Sequence, residues 1–546
     1  MKLSELARVY DRVSAAGSDP RRVALLAELF RAARGRTLEA AAHLTAGELV
    51  APQLSDKLGI GPGAIRDAVA RLSRRPPEEI EREARRTGDL GEVVAAHVRG
   101  ADTLTVDELW RRANRAAERG EERAKLVGHV FAKADAAGAK YFTRMALNQM
   151  RIGVGAGTLV RAVAAAFAVE PAAVERVYAI RNDIGFAAAQ ARRGRRALER
   201  AGLTLFRPYQ FMNAHKVDDP ARVFETLAGK RVIFEVKYDG ARLQMHIGKR
   251  AARSRPEIRL YSRRLNDDTK ALPDVAASLA GAWRGGDAIV EGEAVAFDPT
   301  LARRLPFQSV LMRLGRVHNV AETAREIPLV LFLFDLLYDR GEDLMNVAQA
   351  ERRRRLEELF RPDARVRMTE SIISDRRAEQ DRFFKRAVRA GHEGIMAKDP
   401  DAAYTPGRRA ESWMKIKPAF ETLDVVVVGG IYGSGRRRGL LSSLVVAVRH
   451  KDDFLTVGKV GTGFSEELLR DLTARLERIV TASRGGTVEV EPQIVIEVDF
   501  QDIQKTDRHP AGHVLRIPRF RRERTDKSTR EADTLERLRR LYRQMH

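Results

Sequence analysis

The spacing of apolar residues changes along this chain of 546 residues, and the change constrains its architecture. Up to about residue 200, apolar residues recur at intervals of three and four, as in Leu25, Leu26, Leu29 and Phe30. That period belongs to helices with one buried face, so the first part of the chain is predicted to be all-helical. From about residue 204, short stretches alternate apolar and polar residues instead, which predicts strands mixed with helices.

A third pattern begins near residue 420, where short apolar stretches are separated by glycine-rich turns. Strands are predicted at 425–432, 444–448 and 494–498, with one helix near Ser465 to Val480. This pattern is typical of a small β-barrel of the OB type. The sequence therefore predicts a multidomain protein with an all-α domain at 1–203, an α+β domain at 204–419 and an OB-fold β-barrel domain at 420–546.

Composition narrows the classes of partner and chemistry. The chain has 98 Lys and Arg against 75 Asp and Glu, a formal net charge of +23, which favours a polyanionic partner without separating DNA, RNA and an acidic membrane. It has no cysteine, which excludes disulfides, thiolate zinc sites and cysteine nucleophiles. The N-terminus resembles no signal peptide and the most apolar run, Ile327 to Phe334, is too short to span a bilayer. We expect a cytoplasmic protein without membrane attachment.

Residues 231–247 carry a candidate nucleophile. Apolar and polar residues alternate on both sides of Asp-Gly at 239–240, a dipeptide that favours a tight hairpin. Glu235 and Lys237 then share one face of the first strand, and Arg242 follows the turn on the same side. A lysine held between a carboxylate and a guanidinium group is a candidate for covalent catalysis, whereas the alternative is a surface hairpin with ordinary charges.

Two further strands place charges where they need partners. In residues 288–297 Glu291 and Glu293 share one face of an apolar strand, which is costly unless the carboxylates are paired, solvated or bound to a cation. Lys415 and Lys417 share a strand face at roughly 6–7 Å along the strand and repel each other unless an anion lies between them. A solvated edge strand is the alternative for the acids.

Other segments are less specific on their own. Residues 329–338 predict a strand buried on both faces, in which Phe334 is a core residue by itself. The glycine-rich turn before Thr158 predicts helix N-terminal amides where phosphates can dock, or an ordinary turn with a threonine cap. Residues 516–530 have seven basic and two acidic side chains and form either a binding segment or a solvated tail. The arginines at 352–355 are expected on a solvated helix face.

These segments together resemble a known family. Lys-Tyr-Asp-Gly-Ala-Arg at 237–242 resembles the adenylated-lysine motif of ATP-dependent DNA ligases, a branch of the covalent nucleotidyltransferases. Further stretches resemble that family's motifs in the family's order, at 261–269, 288–297, 329–338, 392–398, 412–418 and 516–530. Residues 139–158 resemble its N-terminal DNA-binding domain, while 207–214 depart from its usual pattern. The resemblance implies that the α+β domain is an ATP-grasp-like nucleotidyltransferase (adenylation) domain.

The resemblance also implies roles for individual residues. Lys237 is the implied nucleophile, with Glu235 contacting the adenine amine and Phe334 stacking on the adenine. Glu293 and Glu393 are implied to hold Mg²⁺. The remaining residues implied to bind the nucleotide are Arg242, Arg263, Glu293, Arg409, Lys415, Lys417, Arg519 and Lys527, the last two by orienting the pyrophosphate. The motif at 516–530 also contains Arg516 and Asp526.

The implied reaction is the sealing of nicks in duplex DNA. The lysine takes AMP from ATP, passes it to a 5′-phosphate, and the adjacent 3′-hydroxyl displaces it. We expect nearby positive charges to lower the pKa of Lys237, because they disfavour its charged ammonium form. These charges are Arg242, Lys415, Lys417 and bound Mg²⁺. We further expect a monomer that encircles nicked double-stranded DNA in the nucleoid; the chain has no clear sliding-clamp motif, so clamp binding stays open.

Three alternatives remain at the level of sequence. An RNA ligase or a capping-type guanylyltransferase shares the lysine motif but usually lacks a helical domain of about 200 residues before it. A non-catalytic nucleic-acid-binding protein would fit the charge but not the retention of every chemical residue. An unrelated kinase or P-loop enzyme would need motifs that the chain lacks.

Overall fold

A computed structural model describes residues 1–545 apart from 55–57, 120–122, 218, 250–255, 419–420, 434–436 and 438. The described chain forms two compact units, Met1–Lys417 and Pro418–His546. Residues 419 and 420, between which the predicted second boundary falls, lie outside the described residues.

The first part of unit one is helical, as the apolar spacing predicts. Its helices are α1 Leu3–Ala15, α2 Asp19–Ala32, α3 Arg36–Ala46, α4 Pro62–Ser73, α5 Pro77–Thr87, α6 Leu90–His97, α7 Val106–Arg119, α8 Arg123–Lys133, α9 Ala136–Ala146, α10 Ala156–Phe167, α11 Pro171–Arg181, α12 Ile184–Arg193 and α13 Arg195–Arg200. Their apolar faces meet in one core, in which Leu6, Phe30 and Phe142 are fully buried. The predicted all-α N-terminal domain is confirmed.

The glycine-rich segment at 153–157 leads into α10, where the sequence predicts a helix start. Gly155 is the residue before the first turn, and Thr158 lies inside that turn. The Thr158 hydroxyl donates to Asp19 at 2.7 Å, and Arg161 pairs with the same carboxylate at 2.5 Å. Thr158 therefore ties α10 to the start of α2 and does not cap its own helix.

The second part of unit one mixes strands and helices. Its strands are β1 Asn213–Val217, β2 Val232–Lys237, β3 Ala241–Gly248, β4 Glu257–Tyr261, β5 Ala288–Ala296, β6 Leu329–Asp339, β7 Glu342–Asp343, β8 Val366–Met368, β9 Ser371–Ser374, β10 Gly394–Lys398 and β11 Arg409–Ile416. Its helices are α14 Ala221–Thr226, α15 Pro273–Ala282, α16 Phe307–Leu311, α17 Val320–Glu326, α18 Gln349–Leu359 and α19 Arg377–Arg389. One sheet has the order β1-β11-β10-β2-β9 and the other β4-β3-β5-β6-β7, with β8 also beside β6. The predicted α+β domain is confirmed.

The hairpin predicted around 239–240 is wrong. The strands β2 and β3 form at the expected residues, but β2 pairs with β9 and β10 whereas β3 pairs with β4 and β5. A Cβ atom at Gly240 would lie 2.4 Å from the carbonyl oxygen of Ala294, so this glycine allows the chain to pass close to β5. The sequence signal therefore marks a crossing between two sheets.

The strand β6 is buried over Leu329 to Leu337, as predicted, but the neighbouring prediction for residues 352–355 is wrong. Arg352 is fully buried against β6 and pairs with buried Asp335 through two nitrogen–oxygen contacts of 2.8 and 3.0 Å. Only part of the arginine run is solvated, as at Arg354. A bidentate partner makes burial of a guanidinium group tolerable.

Unit two is rich in strands. They are β12 Thr422–Tyr432, β13 Leu441–His450, β14 Asp453–Val460, β15 Val480–Arg484, β16 Thr487–Val490, β17 Val495–Asp499, β18 Asp502–Lys505, β19 His513–Arg516 and β20 Arg519–Glu523, with helices α20 Glu466–Glu477 and α21 Leu535–Met545. Seven strands form one half-barrel sheet around β12. The helix predicted near 465–480 is α20, where the Leu468 amide donates to Ser465 Oγ at 3.1 Å. The predicted β-barrel domain of OB type is confirmed.

In the described part of the chain, no helix is both long and apolar enough to cross a membrane.

Candidate active site

Lys237 lies at the end of β2, and its ammonium group contacts the carboxylate of the residue just before β10, the neighbouring strand of the sheet. Lys237 Nζ donates to Glu393 Oε2, and Lys417 Nζ donates to Glu393 Oε1. The Glu393 amide donates to the Lys237 carbonyl at 3.0 Å. Gly394, with φ of 138°, begins β10, and a Cβ there would lie 2.2 Å from the carbonyl oxygen of Ile416. The backbone thus places one carboxylate between two ammonium groups.

The pKa of Lys237 differs in direction from the one expected. Burial alone lowers it, but the carboxylates of Glu393, Glu293 and Asp239 outweigh burial and raise the pKa above its ordinary value. The side chains alone therefore shift this pKa in the direction opposite to the one predicted for the site with Mg²⁺ bound. Surrounded by these carboxylates, Lys237 is an ammonium ion. An additional positive charge nearby is needed to lower its pKa and give the neutral amine.

Glu293 and Glu393 are the predicted metal ligands, and both act electrostatically on Lys237. Burial raises the pKa of Glu293 to about 7 against the influence of Lys237 and Arg242. Burial also opposes ionisation of Glu393, but Lys237 and Lys417 hold its pKa below the ordinary value. A divalent cation would compensate the cost of ionising half-buried Glu293, so the two glutamates suit a divalent metal ion.

The donor set suits Mg²⁺ bound together with a nucleotide. Among the described residues, no group of three or more His, Cys, Asp and Glu side chains is arranged to hold a metal. Mg²⁺ commonly takes one or two carboxylates and completes its shell with water and phosphate oxygens. Glu293 and Glu393 match that requirement.

Arg242 on β3 pairs with Glu291 and not with the carboxylate that holds Lys237. Its Nη2 donates to Glu291 Oε2 at 2.5 Å and its Nη1 donates to the Met212 carbonyl at 2.7 Å. The other oxygen of fully buried Glu291 accepts from the hydroxyls of Tyr209 at 2.7 Å and Tyr404 at 2.6 Å. The lysine is therefore not held between Glu235 and Arg242, as the hairpin interpretation required. Instead, Arg242 is fixed within a buried hydrogen-bond network.

Glu235, two residues before Lys237, is engaged by a different lysine. Lys398 Nζ lies 2.6 Å from Glu235 Oε2 and Arg353 Nη1 lies 3.4 Å from Oε1. The Lys398 ammonium is 4.8 Å from the ring centroid of Phe334 and 4.3 Å from that of Trp413. Glu235 and Phe334, the residues predicted to contact the adenine, therefore share a contact with buried Lys398.

Lys415 and Arg409 on β11, together with Lys417 just after it, form a row of basic side chains, called the basic wall below. Burial and the cations Lys417, Lys237 and Arg409 lower the pKa of Lys415. The repulsion between Lys415 and these cations agrees with the prediction that an anion is needed between Lys415 and Lys417. Arg263 lies at an exposed turn after β4.

Within unit two, Lys527 and Arg519 belong to the predicted C-terminal motif. Lys527 Nζ pairs with Asp424 at 2.6 Å, and Arg524 pairs with the same carboxylate at 2.7 Å. Arg519 is exposed at the start of β20. Asp424 thus holds two basic groups of the motif in one place.

Comparison with known proteins identifies the family of this chain. Residues 2–164 match a model of the DNA ligase N terminus, residues 211–417 that of the ATP dependent DNA ligase domain, and residues 437–527 that of the ATP dependent DNA ligase C terminal region. The DNA ligase of Thermococcus fumicolans is 36% identical over 99% of this chain and 98% of its own length. The chain belongs to the ATP-dependent DNA ligases. ATP is accordingly its substrate and DNA its partner.

Other relatives of this DNA ligase agree in length. The DNA ligase of Methanopyrus kandleri is 36% identical over 99% of both chains, and that of Haloarcula marismortui is 37% identical over 98% of this chain and 99% of its own. A solved structure described as Pmar-Lig_PreS3 covers 95% of this chain and 99% of its own, with a TM-score of 0.59 at 17% identity. This likeness supports the fold alone.

Sequence reasoning missed several residues of this ligase's site. Glu291, Tyr209 and Tyr404 hold Arg242, and Lys398 and Arg353 hold Glu235. Glu291 had a signal, because an acid in an apolar strand needs a partner. The partners of Glu235 lie in segments that the sequence singles out, 392–398 and 352–355, but nothing local pairs Lys398 or Arg353 with Glu235, because both are far from it in sequence.

Proposed function

We propose that this DNA ligase seals nicks in duplex DNA, joining a 5′-phosphate to a 3′-hydroxyl, through a covalent Lys237–AMP intermediate and an adenylated DNA 5′ end. The observation that supports it best is the contact of Lys237 with Glu393 beside a wall of Lys415, Lys417 and Arg409. This arrangement offers a nucleophile, an acid and basic side chains for phosphates close together. Each turnover would release pyrophosphate and then AMP.

The first step needs Lys237 as a neutral amine. An ordinary lysine is neutral in only about one molecule in a thousand near pH 7.4. Glu293 and Glu393 would hold Mg²⁺, which supplies positive charge against the phosphate oxygens when bound. With their carboxylates engaged in this way, the two glutamates would no longer favour the charged form of Lys237. Its pKa would fall, and the amine could attack the α-phosphorus of ATP.

The remaining residues of the site would bind and orient the nucleotide. Glu235, fixed by Lys398, would accept from the adenine amine, and Phe334 would stack on the ring. The side chains proposed to face the sugar and phosphates are Arg242, Arg263, Glu293, Arg409, Lys415 and Lys417. Arg519 and Lys527 would stabilise the departing pyrophosphate, where negative charge builds in the first step.

The three predicted domains supply the rest of the reaction. We assign DNA binding to residues 1–203, adenylation to 204–419 and the OB fold to 420–546. The strongly basic chain suits a single copy that encircles nicked duplex DNA, with counterion release contributing to affinity. Action on DNA implies a nucleoid-associated location in the cytoplasm. Sliding-clamp binding has no sequence motif to support it and is not part of the proposal.

Labelling with α-³²P-ATP and Mg²⁺, followed by denaturing electrophoresis, tests the nucleophile. The unaltered protein should give a labelled band that is discharged by nicked DNA. Lys237→Ala and Lys237→Arg should give none, because arginine remains protonated. Lys270→Ala, at an exposed lysine of the same domain, is the matched control and should label normally. A labelled band in either Lys237 variant would overturn the assignment.

A further inference from the structure

The two glutamates proposed to hold the metal lie on different sheets. Glu293 belongs to β5, in the sheet of β3 and β6, whereas Glu393 immediately precedes β10, in the sheet of β2 and β11. Among the described strands, no hydrogen-bonded ladder joins these two sheets. The distance between the two carboxylates therefore depends on contacts made outside the ladders.

Arg304 makes such a contact from the loop that follows β5. The loop is anchored by the Leu305 amide, which donates to the Ala296 carbonyl at 2.8 Å. From there the Arg304 guanidinium group reaches residues 390–392, just before Glu393. Nη2 donates to the Ala390 carbonyl, and Nη1 donates to the Gly391 carbonyl at 3.3 Å and to His392 Nδ1 at 2.7 Å. Since arginine has only donors, His392 Nδ1 is the acceptor.

The turn at 390–392 is tightly constrained on its other sides. Gly391 has φ of 73°, and a Cβ there would lie 3.1 Å from Arg304 Nη2. The His392 ring lies edge-on to Tyr238 at 4.7 Å, and Tyr238 stacks on Phe332 of β6 at 3.8 Å. The turn that leads into Glu393 is thus contacted on one side by Arg304, from the loop after β5, and on the other by Tyr238, the residue after Lys237. A change in these contacts would move Glu393 relative to Glu293.

We propose that Arg304 is a positioning residue that sets the spacing of Glu293 and Glu393 and thereby the affinity of the site for a divalent cation. The inference rests on the proposed function, which assigns the cation to these two glutamates. Removal of groups that orient metal ligands commonly costs 10–100-fold in metal affinity. The competing explanation is that Arg304 only satisfies carbonyls at the end of α19 and stabilises the fold.

Direct metal binding separates the two explanations. The full chain is incubated with Mn²⁺ and α,β-methylene-ATP, an analogue whose α,β bridge is not cleaved, so that Lys237 cannot be adenylated. Free Mn²⁺ is followed by electron paramagnetic resonance. Arg304→Gln should weaken Mn²⁺ binding by about tenfold or more. Arg304→Lys should be intermediate, because one ammonium group cannot reproduce the planar fork. Arg303→Ala, at the exposed neighbouring residue, is the control and should bind Mn²⁺ normally.

Single-turnover adenylation over a Mg²⁺ titration is the second readout. The Mg²⁺ midpoint of Arg304→Gln should rise in parallel with the Mn²⁺ result, and its rate at saturating Mg²⁺ should recover most of the unaltered value. A variant with a lower melting temperature but unchanged metal midpoints would overturn the proposal in favour of a purely structural role. Failure of the unaltered protein to form an adduct or to bind Mn²⁺ would instead overturn the proposed function.

Discussion

A buried histidine in the helical domain should make the stability of the protein depend on pH. His43 on α3 lies between two carboxylates, with Nδ1 at 2.6 Å from Glu48 and Nε2 at 3.0 Å from Asp183. Its ring stacks on Trp110 at 4.5 Å. Burial opposes the charged form, but the hydrogen bonds to Asp183 and Glu48 prevail and raise the pKa of His43 to about 9.

The size of the effect follows from that pKa. The pKa of His43 is 6.5 in the unfolded chain and about 9 in the folded protein. At 1.36 kcal/mol per pKa unit, this difference adds about 3 kcal/mol to the free energy of unfolding. Because the folded pKa is the higher one, the contribution is complete below pH 6.5 and is lost as the pH rises to 9. For a domain of this size, about 3 kcal/mol corresponds to roughly 6–12 °C in melting temperature.

The assay compares the unaltered chain with His43→Gln by thermal unfolding between pH 6 and 9.5. The difference in melting temperature between the two proteins should be largest at pH 6 and should shrink by roughly 6–12 °C as the pH rises through 9. His318→Gln, at an exposed histidine, is the control and should run parallel to the unaltered protein. Parallel curves for His43→Gln as well would refute the reasoning, because they would show that His43 carries no additional proton in the folded state.

Three other predictions concern the reaction. Single-turnover adenylation should rise about tenfold per pH unit below the pKa that Lys237 has in the site loaded with ATP and Mg²⁺, because only the neutral amine attacks; a flat profile between pH 6.5 and 8.5 would contradict this. Lys527→Ala should be strongly defective with ATP and nicked DNA but much less so with a pre-adenylated nick, which involves no pyrophosphate; equal defects would indicate a DNA-binding tail. Removal of residues 1–203 should weaken nick binding and steepen its loss with salt while sparing adenylation, and unimpaired sealing at physiological salt would contradict the assigned role.

The sequence predicted the three-part fold because each part has its own apolar period. It also predicted the faces of single strands, since alternation within a strand is local: Glu291 and Glu293 share one face, and Lys415 and Lys417 lie on the same basic wall. It failed where the answer depended on which strands pair. Asp-Gly after Lys237 indicates a tight turn locally, but the close passage of Gly240 over β5 is a tertiary constraint. The error moved Arg242 to the wrong partner. The pKa of Lys237 shifts opposite to the expected direction for a different reason, because Glu393, brought next to it by the pairing of β2 with β10, stabilises its charged form.

The partners of the buried charged groups around Lys237 were equally inaccessible from the sequence, and their burial has a functional consequence. Glu291 with Arg242, Glu235 with Lys398, and Asp335 with Arg352 form ion pairs in which at least one partner is fully or almost fully buried. Burying such pairs costs desolvation that apolar residues of similar volume would avoid, so they are a weak source of stability. What they provide is fixed geometry, because a guanidinium group or ammonium with buried partners cannot turn elsewhere without leaving a charge unpaired. The side chains proposed to read the adenine and hold the phosphates would therefore be oriented before ATP arrives. Removing one member of a pair should accordingly harm nucleotide binding more than its own contact with ATP would account for.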